Sequence, residues 1–156
     1  MSSALEAHGI SVELPAGWEG RIYRRRGGDP TLHAANYALP GSDGDFGGLA
    51  TERMPSGGSF LVLTEYRPGQ GLEAGKGLFA AAAIPLPLDT RQFHAHTLHV
   101  GRPGQVGFQH FFTAGGRPFC LYAVAKPRRN SGLTSAAAAK PQVSAINRVL
   151  ATVTIA

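Results

Sequence analysis

Glycine and proline cut this chain into pieces too short for long helices. The sequence of 156 residues holds 21 Gly and 11 Pro, and these residues punctuate short runs in which apolar and polar side chains alternate. Gly opens turns that other residues resist, and Pro ends helices and interrupts sheets. The expected fold is therefore α+β: an antiparallel β-sheet of about six to eight strands, with a C-terminal helix and a short central helix. No internal repeat or linker divides the chain, so residues 1–156 are read as a single domain.

The period-two segments are the strongest signals. Residues 9–14 place Ile10, Val12 and Leu14 on one face, and 18–25 form a second strand that is expected to pair with the first as a hairpin. Residues 32–39 are a third strand, ended by the Gly- and Asp-rich stretch 40–48. Residues 49–54 and 59–67 are expected to pair across Pro55 to Gly58, the second of them interior to the sheet because both its faces are apolar. The pair 106–113 and 118–126, joined by residues 114–117, reads the same way. Leu78 to Ile84 is the short central helix, stopped before Pro85, and residues 93–100 are read as extended. Residues 127–140 are expected to be a mobile loop. Pro141 then opens a helix whose Val143, Ile146, Val149 and Leu150 make one apolar stripe, and 152–155 return to the sheet.

Composition excludes several classes. With 43% hydrophobic and 16% charged residues, the chain can bury a core and is not of disordered type. No run approaches the roughly 18 apolar residues of a membrane-spanning helix. Glu6 stands where a secretory signal would be basic, and Cys120 is the single cysteine, so the expectation is a cytoplasmic protein in a reducing compartment.

The opening strand that ends in Leu14-Pro15-Ala16-Gly17-Trp18 and the closing unit AINRVLATVTI, Ala145 to Ile155, resemble the PsbP-like superfamily of α/β/α sandwiches. The resemblance covers the two ends of the chain, about 25 residues in all. It implies one antiparallel sheet flanked by helices and a role in binding proteins or assisting an assembly, since members of that superfamily are usually not enzymes.

Three groups of residues could carry function. The stretch QFHAHTLHV gives His94, His96 and His99, with His110 nearby; a metal needs three or four convergent ligands, which a strand or helix at this spacing does not guarantee, so solvated histidines are the simpler reading. Arg21, Arg24, Arg25 and Arg26, with Arg128 and Arg129, could form a patch for an anionic partner; no groove with interleaved aromatics accompanies it, which weighs against nucleic acid. The aromatic hairpin of Phe108, Phe111, Phe112 and Tyr122 is richer in rings than one buried face uses. One of its sides could meet another protein or a second copy of the chain; the simpler reading is that helices cover both sides.

Other motifs lead nowhere chemical. Cys120 lies in the most hydrophobic strand, where burial raises a thiol's pKa and silences it. The stretch Gly69 to Gly77 matches neither GxGxxG nor the P-loop. Asp43 and Asp45 begin like a calcium loop without its later carboxylates, and turn-making is preferred. The function expected is thus a non-catalytic protein-binding or accessory module of a bacterial complex, with no cofactor. The alternatives are a histidine metal site and an anion site on the Arg-rich strand.

Overall fold

Strands β1 (Ser3–Ala7), β2 (Ile10–Leu14) and β8 (Thr154–Ile155) form one antiparallel sheet in the order β1-β2-β8. Strands β3 (Glu19–Arg24), β4 (Pro30–Ala35), β5 (Ser59–Glu65), β6 (Val106–Ala114) and β7 (Arg117–Ala125) form a second, in the order β3-β4-β5-β7-β6. Three helices complete the fold: α1 (Gly48–Glu52), α2 (Ser135–Ala138) and α3 (Lys140–Leu150). These elements come from a computed structural model that describes residues 2–24, 28–67, 72–128 and 135–156.

The class is α+β with eight antiparallel strands, but they make two sheets where the sequence suggested one. The expected hairpin between residues 9–14 and 18–25 does not form. Instead, β2 pairs with β1 in the register Ala7↔Ile10 to Ser3↔Leu14, and β3 pairs with β4. His8 and Gly9, both at positive φ (53° and 79°), supply the β1–β2 turn, a two-residue loop whose twist matches the flanking strands. Residues 3–7, Ser-Ala-Leu-Glu-Ala, carry no β-branched or aromatic side chain, so their sequence hid a strand.

The central hairpin follows the expected logic. Gly115 and Gly116, at φ 59° and 73°, join β6 to β7 directly, and the register runs from Ala114↔Arg117 to Val106↔Ala125. All seven residues of β5 are buried between β4 and β7. Along β7, Phe119, Leu121, Ala123 and Ala125 enter one core, while Tyr122 and Val124 enter the other.

The first core is dry. Helix α3 begins at Lys140 with Pro141 in its first turn and lays Val143, Ile146, Val149 and Leu150 against β2, β5 and β7. The smaller sheet adds Ile10, Val12 and Leu14. Arg117 locks the two sheets together: it donates two hydrogen bonds to the Glu65 carboxylate (3.0 and 2.6 Å), one to the His8 carbonyl and one to the Ala156 carbonyl.

The second core is closed by irregular chain. Residues 49–54, expected as a strand, hold α1 instead. The cause is Asp43, whose Oδ1 accepts from the Leu49 amide (2.9 Å) and whose Oδ2 accepts from the Ala50 amide (2.9 Å), so the carboxylate does the work of an N-cap. Gly47 enters the helix at φ 71°, and a side chain there would run into the Phe60 ring.

Two further expectations are corrected. Residues 78–84 form no α-helix; a single 3₁₀ turn, Gly77–Phe79, precedes irregular chain up to Pro85 and Pro87. Residues 93–100 are mostly not extended, since only His94 bridges Gly107 before another 3₁₀ turn, Ala95–Thr97. Within the supposed loop 127–140, residues 135–138 are helical, and residues 129–134 lie outside the described segments.

Candidate functional site

The four histidines do not converge. His94 and His96 stack on each other with ring centroids 4.9 Å apart. His99 bonds the Gln109 side chain through Nε2 (2.9 Å) and packs on Phe46 and Tyr122. His110 donates from Nε2 to the Ala83 carbonyl and lies in a ladder between Phe108 and Phe112. Among the described residues, no three His, Cys, Asp or Glu gather closely enough to hold a metal ion. Cys120 is fully buried, and desolvation pushes its thiol up to about 12, so its thiolate is scarce at neutral pH.

Nor does the aromatic hairpin leave an open face. Phe108, Phe112 and Tyr122 are only 8%, 2% and 2% exposed. Phe93 stacks on Phe108, Phe112 packs on Phe119, and Phe46 and His99 cover Tyr122. Phe111 is half-buried against Tyr66 and Phe79. The covering rings come from this same chain, from β7 and from irregular segments, over a core that α3 also closes.

The arginines are dispersed as well. Arg21 and Arg24 stand three apart on edge strand β3 and therefore face opposite sides. Register places Arg24 beside Pro30 at one end of the sheet, whereas Arg128 follows Ala125, which pairs with Ser59 at the other end. Arg25, Arg26 and Arg129 lie outside the described residues.

A different basic site is present where β6 begins and β7 ends, against α1. A cleft of about 400 Å³ is lined by Glu52, Ser56, Arg102, Gln105 and Lys126, with Pro103, Gly104 and Pro127 completing its walls. Each long side chain is tethered to the backbone of α1 or the turn after it. Arg102 Nη2 donates to the Gly48 carbonyl (3.2 Å), Gln105 Nε2 to the Thr51 carbonyl (2.7 Å) and Lys126 Nζ to the Met54 carbonyl (3.3 Å). Thr51 and Met54 lie at and just beyond the C-terminal end of α1, where carbonyls lack helical partners and cations suit them, whereas Gly48 is the first residue of the helix. Arg128 runs over Gly57 beside the rim.

These tethers fix the side chains without using them up. A guanidinium has five N–H donors and an ammonium three; one is used on each. Among the described residues neither cation forms an ion pair, and the Glu52 side chain on the same cleft has no hydrogen bond or ion pair. Two buried atoms, Arg102 Nε and Gln105 Oε1, are left with no partner. A buried polar atom left unpaired costs about 1–3 kcal/mol, and such orphans call for a specific reason.

The wall carrying α1 is held by polar contacts. The Asp45 carbonyl accepts from both His33 Nε2 (3.2 Å) and Thr64 Oγ1 (3.1 Å), while Tyr37 donates to the Ala50 carbonyl (2.9 Å). Burial lowers the pKa of His33 despite this bond and the nearby Asp43 and Asp45 charges, and its Nδ1 has no partner.

Sequence reading passed over Arg102, Gln105, Lys126 and Glu52. One signal was available: extending the β6–β7 register by one residue from Val106↔Ala125 sets Gln105 beside Lys126. Compared with family models, with curated proteins and with solved structures, the chain matches none.

Proposed function

We propose that this protein is a non-catalytic binding module whose site is the basic cleft at Arg102 and Lys126, and whose ligand is a small molecule bearing an anionic group. One observation carries the reading: two cations, free of ion pairs among the described residues, are held on a cleft of ligand size, and two of its lining side chains, Arg102 and Gln105, each hold a buried polar atom without a partner. Pockets of this volume take small ligands, and preset guanidinium and ammonium groups bind carboxylates and phosphates through charge-assisted bonds. The absence of a nucleophile–base pair among the side chains lining the cleft favours binding over reaction. The likeness to PsbP-like proteins agrees with an accessory role. Its two end signatures meet in space, with β2 paired to β8 and Thr152 bonded to Glu13.

The test is an amide and Arg side-chain NMR titration with inorganic phosphate and with acetate. Saturable shifts at Arg102 Nε–H, Gly104 and Gln105 are expected, weakening as salt rises and lost in a variant carrying Arg102→Gln and Lys126→Gln. Shifts scattered over the surface, or unchanged in that variant, would refute the reading.

A further inference from the structure

We infer that the ligand of the cleft is zwitterionic, an amino acid or a short peptide, with its carboxylate on Arg102 and Lys126 and its ammonium on Glu52. This rests on the anion-site reading and adds the chemical class. The cleft carries both signs of charge, and the two signs are kept apart. Glu52, at the end of α1, is exposed, and its side chain makes neither an ion pair nor a hydrogen bond among the described residues. Arg102 and Lys126 line the same cleft and donate instead to backbone carbonyls of residues 48 and 54. Unneutralised opposite charges on one small concavity are complementary to a molecule whose own charges are separated.

The neutral groups point the same way. Gln105 is 4% exposed, and its amide orientation is set by Nε2 donating to the Thr51 carbonyl, so Oε1 can only accept. Its missing partner is therefore a donor, which an ammonium or a peptide N–H provides and a sulfate or dicarboxylate dianion does not. Arg102 Nε–H is a donor without an acceptor, a place that a carboxylate oxygen suits. Ser56 on the rim serves either end of the ligand.

Glycine, diglycine and triglycine, each beside its N-acetylated counterpart, make the test, read by NMR titration of the Arg102 and Gln105 signals. Acetylation removes the positive charge and leaves the carboxylate. At least one free peptide is expected to bind about three- to fivefold tighter than its acetylated form, the yield of a partly exposed ion pair. Glu52→Gln is expected to erase that difference. Equal binding of every free and acetylated pair, or a preference that survives Glu52→Gln, overturns the zwitterion while the anion site stands. No shift at the cleft with acetate, phosphate or any peptide defeats both readings at once.

Discussion

The two faces of the five-stranded sheet are closed by different physics. On one, α3 and the small sheet bury an apolar surface that includes Ile10, Leu61, Phe119, Leu121 and Ile146, all at 0% exposure. On the other, α1 and its flanking loops are held by hydrogen bonds from Asp43, Tyr37, His33, Thr64 and Gln105 around a smaller apolar centre at Phe60, Val62 and Val124. The dry face gains stability in proportion to the area buried, and its few polar groups sit where α3 meets β5, with Ser59 donating to the Gln142 carbonyl and Gln142 Oε1 buried without a partner. The second face carries oriented donors and acceptors, some without partners, and that is where the cleft lies. Stability and recognition are divided between the two sides of one sheet.

That division predicts unequal responses to mutation. Phe119→Ala on the dry face should cost about 3–5 kcal/mol of unfolding free energy, measured by urea denaturation. A loss below about 1 kcal/mol would mean that α3 and the sheet are not packed as described. Asp43→Ala on the other face should cost about 0.5–2 kcal/mol, the range for a lost helix cap. Amide exchange should locate the damage, speeding at Leu49 and Ala50 while β7 stays protected. Acid should act most gently, and through His33. Its folded pKa lies below the unfolded value near 6.5, so the unfolded state takes up more protons as pH falls below that value, and stability declines there. Tyr23 and Phe60 face the ring edge-on, with the Asp45 carbonyl at Nε2. A His33→Gln variant should show a flatter melting temperature between neutral pH and pH 5 than the parent protein; equal slopes would place the titrating group elsewhere.

The sequence made the dry face legible and the wet one obscure, for a physical reason. Burial on both faces makes β5 and β7 near-continuous apolar runs, and burial of one face gives α3 a period of 3.6; these patterns are visible in Phe60 to Glu65, Phe119 to Ala125 and Val143 to Leu150. The second face is built by contacts distant in sequence, such as Gln105 with Thr51 and Arg102 with Gly48, which leave no local period. Residues 49–54 show the failure plainly: they read as the first strand of a hairpin turning at Pro55 to Gly58, yet the Asp43 carboxylate, six and seven residues upstream of Leu49 and Ala50, caps them into α1. The histidines and the Arg-rich strand drew attention because they cluster along the chain. The cleft residues come from three separate segments and cluster only in space.

The central claim is that Arg102 is placed for a ligand rather than for the fold. Arg102→Met keeps the length of the side chain while removing its charge and its orphaned Nε, so urea denaturation of this variant beside a phosphate titration is the most direct measurement. The account predicts an unfolding free energy within about 1 kcal/mol of the parent, the net value of one exposed hydrogen bond, together with loss of phosphate shifts at Gly104 and Gln105. A loss above about 3 kcal/mol with phosphate binding preserved would show Arg102 to be a structural clasp and would contradict the account.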